Sequence, residues 1–173
     1  LVVIDMQERL VPAMQAPART IRNTRTLLAA AAELSIPVLV TEQYPKGLGR
    51  TVPEIAKAAE GASAQVIEKS HFSSHAEPAF AKAIAATGRS QAVIAGMEAH
   101  ICVLQTAVAL MQAGYEVFVV TDATSSRTLE SEKACLDRLQ ALGAGIVTSE
   151  MVLFEWLGQA GTPAFRALLP LIK

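Results

Sequence analysis

Six short runs, mostly apolar except for 65–69, punctuate this chain, and stretches of helical composition separate them. The runs cover residues 1–5, 36–41, 65–69, 92–96, 115–121 and 144–148. Strands that read apolar throughout are strands buried on both faces. Residues 20–34, 77–86, 103–112, 129–142, 151–157 and 163–172 have helical composition, with Gly114 and Gly143 as stops. Such alternation predicts a parallel sheet, because parallel neighbours need a crossover long enough to hold a helix. Right-handed crossovers make a doubly wound, Rossmann-like sheet the default. The expectation is an α/β fold in three layers, α/β/α. At 173 residues the chain suits a single domain spanning 1–173.

Composition narrows the partners. A chain that is 51% hydrophobic and 18% charged is not disordered. Its net charge of −1 offers nothing to a polyanion or an anionic membrane. No apolar run has the length of a transmembrane helix. The expected partner is a small-molecule substrate, with no nucleic acid and no membrane. The opening run from Leu1 to Ile4 is too short for a signal peptide and lacks a basic flank. It begins inside a strand, so a few residues are expected to precede it. Two cysteines in apolar surroundings predict reduced thiols and a cytoplasmic protein. The high apolar content predicts a homo-oligomer that buries some of it between subunits.

In an open parallel sheet, ligands bind beyond the carboxyl ends of the strands. Asp5 ends the first run, Glu42 follows the second, Lys69 ends the third, Cys102 follows the fourth and Asp122 follows the fifth. Asp5, Lys69 and Cys102 together supply a base, a cation and a nucleophile. Cys102 falls in the first turn of a helix, whose partial positive charge and free N–H groups favour thiolate over thiol. The same N–H groups suit a developing oxyanion. Asp5 is suited to take the thiol proton, and Lys69 to lower the thiol pKa. Singly, each residue has an ordinary reading: free cysteines are often core residues, and Asp often sits in turns. The combination at one sheet edge is what points to nucleophilic catalysis.

Three segments carry a resemblance. Val3-Ile4-Asp5-Met6-Gln7, Glu68-Lys69-Ser70-His71-Phe72-Ser73 and Ala95-Gly96-Met97-Glu98-Ala99-His100-Ile101-Cys102-Val103 resemble the isochorismatase-like cysteine hydrolases. That family includes nicotinamidases and N-carbamoylsarcosine amidase, and the resemblance covers nearly the whole chain. The loop Thr41-Glu42-Gln43-Tyr44-Pro45-Lys46-Gly47-Leu48-Gly49 looks like the subgroup called isochorismatase domain-containing proteins. The resemblance implies a six-stranded parallel sheet and an Asp5–Lys69–Cys102 triad. It also implies a cis peptide between Met97 and Glu98, which turns the Glu98 N–H toward an oxyanion site beside that of Cys102. Two departures matter. Isochorismatases in the strict sense lack the cysteine, so vinyl-ether hydrolysis is not expected. Nicotinamidases hold a metal with an Asp and two His just after strand two, where this chain has Glu42-Gln43-Tyr44-Pro45. No metal and no other cofactor is expected.

The remaining candidates are weighed against plainer readings. His100 lies two residues before Cys102, and helical i and i+2 side chains do not face each other. It reads as a pocket wall or a helix-start residue. His71 and His75 are four apart, but Ser73-Ser74 between them suggests a loop, and no carboxylate cluster completes a metal site. Gln7, Tyr44, Leu48, Phe72 and His100 are the pocket candidates. Cys135 reads as core; Phe154 and Trp156 read as core or a subunit contact. The expected activity is hydrolysis of a C–N bond in a small amide or carbamoyl compound through a thioester. The alternatives are a hydrolase of another small-molecule class, such as an ester, and a catalytically dormant interaction domain of the same fold.

Overall fold

Six strands form one sheet: β1 (Val2–Ile4), β2 (Leu39–Gln43), β3 (Gln65–Lys69), β4 (Gln91–Met97), β5 (Glu116–Ser125) and β6 (Gly145–Val147). Every neighbouring pair is parallel, and the order is β3-β2-β1-β4-β5-β6. The computed structural model describes residues 1–171. Between the strands lie α1 (Pro17–Glu33), α2 (Pro45–Leu48), α3 (Pro53–Gly61), α4 (Pro78–Ala86), α5 (Leu104–Gln112) and α6 (Leu129–Ala141). After β6 come α7 (Ser149–Leu157) and α8 (Pro163–Leu168). The tail helix read from the sequence reaches Ile172, which lies outside the described residues.

Strand pleating sends alternate residues to opposite faces. Val2 and Ile4 of β1 join Phe80, Leu110 and Leu139 on the face covered by α4, α5 and α6. Val3 joins Leu28, Val40 and Ile55 on the face covered by α1 and α3. Leu27, Val120, Val147 and Val152 extend that second layer to α7. The chain therefore forms the three-layer, doubly wound α/β/α sheet that its alternation predicts.

Several boundaries differ from the sequence pattern for local reasons. Helix α1 starts at Pro17, where a fixed φ suits the first helical position. Pro37 falls before β2 instead of inside it, and its carbonyl accepts from the Leu1 amine at 2.8 Å. Strand β5 runs on to Ser125 because its register slips: Ile94 pairs with Val119, but Gly96 pairs with Thr124. The bulged residues leave the ladder. Asp122 is one of them, and it accepts from the Ser149 amide and hydroxyl at 2.7 Å and from Asn23 Nδ2 at 2.9 Å. It thus pins α7 to α1 and is not a strand-end reactive group.

The chain winds outward from β1 to β3, then returns to place β4 on β1's other side. The crevice at this reversal is where doubly wound sheets bind ligands. Gly96 of β4 sits against β1 there. Its φ is +119°, and a Cβ would stand 2.1 Å from the Ile4 carbonyl oxygen. At the end of β3, Glu77 holds the following turn. Its carboxylate accepts from the Ser70 amide at 2.7 Å, the His71 amide at 3.0 Å and His71 Nδ1 at 2.8 Å. The His71 and Ser70 amides, with the His71 ring, hold the Glu77 carboxyl at about 2.

Two predictions follow from these anchors. Gly96→Ala should destabilise by about 3 kcal/mol or more, because a left-handed φ and a backbone clash coincide. Gly143→Ala, also left-handed but with nothing within 4 Å, should lose only about 1 kcal/mol. Equal urea midpoints for the two variants would contradict this. A depressed carboxyl contributes stability above its unfolded value and loses it as pH falls through the folded one. The wild-type advantage over Glu77→Gln should therefore be full above pH 4.5 and fade toward pH 2. A gap that stays constant from pH 7 to pH 3 would refute the assignment.

Candidate active site

Asp5 leaves β1 with a φ of 51°, a left-handed value that Asp tolerates better than most residues. The turn is tight: the Gln7 amide donates to the Asp5 carbonyl at 2.8 Å, and the Asp5 amide donates to Thr41 at 3.1 Å. The Thr41 hydroxyl donates to Asp5 Oδ1 at 2.7 Å. Lys69 ends β3 and reaches across the end of β2 to place its Nζ 2.7 Å from Asp5 Oδ2. Both side chains are buried, at 1% and 0% exposure. The ammonium also donates to Gln43 Oε1 at 2.6 Å and to the His71 and Phe72 carbonyls at 3.3 Å.

Cys102 stands across the crevice. It lies in a π-turn, Ala99–Val103, between β4 and α5. Such turns concentrate at functional sites. The Ile101 and Val103 amides fold back onto the Glu98 carbonyl at 3.1 and 3.2 Å. Three neighbours fix the turn from outside. Cys135 Sγ donates to the Ala99 carbonyl at 3.0 Å. His100 Nδ1 lies 3.0 Å from Ser126 Oγ. The Ser74 amide donates to Thr106 Oγ1, one turn along α5, at 2.9 Å. Cys135 is thus a core residue that supports the turn.

The thiol differs from its sequence expectation. Burial pushes Cys102 up to about 12, the Asp5 carboxylate pushes the same way, and Lys69 opposes both. Desolvation of the charged form is the largest cause. Only 5% of the residue is exposed. The site thus sets a buried thiol beside an ion pair. This arrangement can run nucleophilic chemistry if the carboxylate takes the proton as attack proceeds. Beside it the Met97–Glu98 peptide is cis. Among the described residues the Glu98 N–H donates to no protein acceptor, which leaves it free for a ligand oxygen. The Glu98 carboxylate is held away by Arg127 Nε at 2.6 Å.

The pocket candidates separate. Gln7 is fully buried and acts as a tie: its amide accepts from Gln43 N at 2.7 Å and donates to the carbonyls of Gln43 and Gly49 at 3.0 and 2.7 Å. Tyr44 and Phe72 are exposed, at 59% and 54%. Both flank Lys69 through their backbones, the Tyr44 amide donating to the Lys69 carbonyl at 2.9 Å. Leu48 and His100 are half-buried. Glu42 is buried against Thr51 and Arg50. Burial raises its carboxyl, but hydrogen bonds from the Thr51 amide, Arg50 and the Thr51 hydroxyl bring it below its ordinary value. His71 pairs with Glu77, and no cluster of three or more His, Cys, Asp or Glu residues stands ready for a metal ion among the described residues.

Sequence reasoning missed Thr41, Gln43, Ser126 and Arg127. Thr41 and Gln43 did leave a signal: two uncharged polar residues at i and i+2 share one side of β2, with Glu42 between them on the other. Ser126 and Arg127 left none, because the β5 bulge decides where they fall.

The isochorismatase domain model matches residues 1–151. Isochorismatase domain-containing protein 1 of Salmo salar is 38% identical over 169 residues, covering 98% of this chain and 59% of that protein. The chain thus spans less than two thirds of that relative's length. The MAR1 ribonuclease structure from Caenorhabditis elegans superposes with a TM-score of 0.91 at 35% identity, covering 99% of this chain and 87% of that one. YcaC of Escherichia coli, an octameric hydrolase of unknown specificity, gives a TM-score of 0.88 at 26% identity, over 98% and 85% of the two chains. Among the described residues no helix is long and apolar enough to cross a membrane. A domain match over most of the length, joined to the strand-end residues described above, makes this chain a member of the isochorismatase family of hydrolases.

Proposed function

We propose that the chain is a cysteine-dependent hydrolase that cleaves a C–N bond of a small amide or carbamoyl compound. The observation that carries this reading is the buried Lys69–Asp5 pair, 2.7 Å apart, acting on a buried thiol at the sheet's switch point. Cys102 Sγ attacks the carbonyl carbon while Asp5 accepts its proton. The oxyanion that forms sits on the Glu98 and Cys102 N–H groups, and each such donor is typically worth about 3–4 kcal/mol. Asp5 returns the proton to the nitrogen, the C–N bond breaks, and ammonia or an amine leaves a thioester. Asp5 then takes a proton from water, which attacks the thioester. The acid departs and Cys102 regains its proton. Lys69 pairs with Asp5 and stabilises negative charge as it moves to sulfur.

Residues 1–173 act here as one hydrolase domain, and no metal or cofactor takes part in these steps. The mechanism needs reduced thiols, which a cytoplasmic setting supplies. The octameric YcaC and the exposed Tyr44 and Phe72 rings support self-association around the site mouth. The ribonuclease name of the Caenorhabditis elegans neighbour makes RNA a control substrate. A chain of net charge −1 offers a polyanion little attraction, so RNA should be left intact.

Cys102→Ala should fold as the wild type does and lose ammonia release from small amides entirely. Turnover retained by that variant would sink the mechanism. In the substrate-free protein, alkylation of Cys102 by iodoacetamide should keep accelerating with pH beyond 9.0, the ordinary thiol value, because the thiol stands near 12. Lys69→Met should slow it further, by about tenfold or more at pH 9, since the opposing cation is gone. Peptide mass spectrometry reads both; a rate that levels off by pH 8 would show a resting thiolate instead.

A further inference from the structure

We propose that Gln43 is a positioning residue that sets the Lys69 ammonium between Asp5 and Cys102. The inference rests on the Asp5–Lys69–Cys102 reading and deepens it.

An ammonium has three hydrogens and no acceptor capacity. One goes to Gln43 Oε1 at 2.6 Å and others face the His71 and Phe72 carbonyls, both at 3.3 Å. Asp5 Oδ2, 2.7 Å away, pairs with the ammonium by charge and accepts no hydrogen bond. Gln43 is thus the shortest contact Lys69 makes. The orientation of its amide follows from its partners, because Nε2 donates to the Ser70 carbonyl at 2.8 Å and only the oxygen can then face a cation. The same side chain therefore grips both the head of Lys69 and the backbone just after it.

Gln43 is itself immobilised. Gln7 Oε1 accepts its amide at 2.7 Å and Gln7 Nε2 donates to its carbonyl at 3.0 Å. Gln7 in turn lies in the turn that begins at Asp5, its amide on the Asp5 carbonyl at 2.8 Å. A closed circuit results: Asp5, Gln7, Gln43, Lys69 and back to Asp5. Gln43 is also neutral. It takes one ammonium hydrogen without cancelling the charge, so the Lys69 field stays available to Asp5 and the thiol. A carboxylate at this position would hold Lys69 as well and weaken that field.

The test reads iodoacetamide alkylation of Cys102 at pH 9 in the intact protein. Gln43→Met should slow it about tenfold, the size expected for one charge-assisted hydrogen bond. Gln43→Glu, which keeps the length and an acceptor, should slow it as well through its added charge. Gln43→Met placed in a Lys69→Met background should add nothing further, because the residue acts through Lys69. Thr51→Val loosens the neighbouring segment by removing a buried hydrogen bond to Glu42 and should leave the rate unchanged. Equal slowing by Gln43→Met with or without Lys69 would overturn the inference, as would slowing by Thr51→Val of the same size. A normal rate in both Gln43 variants would overturn it too. If Lys69→Met itself leaves the rate unchanged, the triad reading falls with it. If Lys69→Met slows alkylation and the Gln43 variants do not, only the Gln43 inference falls.

Discussion

The buried pair between Asp5 and Lys69 governs the carboxyl edge of this sheet. Removing two charges from water is expensive, and attraction offsets the loss only where the geometry is good and the remaining donors and acceptors are met. The surrounding polar residues meet most of that demand, and Asp5 Oδ2 is left with the ion pair alone. Thr41 occupies the second oxygen of Asp5, and Gln43 with two backbone carbonyls occupies the ammonium. Strand β2 contributes both Thr41 and Gln43, so the strand between the two charges also solvates them. A pair of this kind is weak support for stability, since apolar residues of the same volume often serve as well. Its presence at a switch point fits a site that needs a fixed charge more than it needs folding energy.

The thiol completes the site from the other side of the reversal. Gly96 brings β4 against β1, with the space for a Cβ already filled by the Ile4 backbone. The chain then turns through Glu98 and the π-turn before α5 begins, which sets Cys102 down opposite Asp5. The bulge in β5 belongs to the same construction. By letting β5 continue to Ser125, it delivers Ser126 to His100 and Arg127 to Glu98. These contacts brace the turn that carries Cys102 and hold the Glu98 carboxylate on Arg127.

The sequence made the architecture legible because the central parallel strands leave apolar runs, while edge strand β3 is half exposed and carries Gln65, Glu68 and Lys69. The places of Asp5, Lys69 and Cys102 were legible because the ends of parallel strands share one edge of the sheet. Gln7 shows the limit. Only the family-like segment around it suggests a pocket contact, and its three hydrogen bonds go to the backbone of β2 and the following segment. Those partners lie 36 and 42 residues away, and no local pattern encodes them. Cys102 shows a second limit: its helix start is visible in the sequence, but the burial that raises its thiol is set by the whole fold. The β5 bulge changes the register of a long-range pairing, which strand periodicity alone does not reveal.

In the proposed reaction, a thiol raised by burial changes what the rest of the site must do. A pre-formed thiolate would need only an oxyanion hole, and any electrophile that reached it would react. A neutral thiol beside a carboxylate reacts only when attack and proton transfer proceed together, so a substrate must be seated well enough to develop charge on its own oxygen. Selectivity then lies in geometry and not in intrinsic nucleophilicity. The proposed reaction also gives the short Gln43–Lys69 contact a use. In it, the proton that Asp5 accepts reduces its pairing with Lys69 at the moment sulfur gains charge, and a fixed ammonium can serve both partners in turn without moving. A loosely held cation would follow Asp5 or turn to its two carbonyl neighbours, and the thiolate would form without compensation. On the proposed mechanism, the rigidity of the Asp5–Gln7–Gln43–Lys69 circuit serves the chemistry as well as the fold.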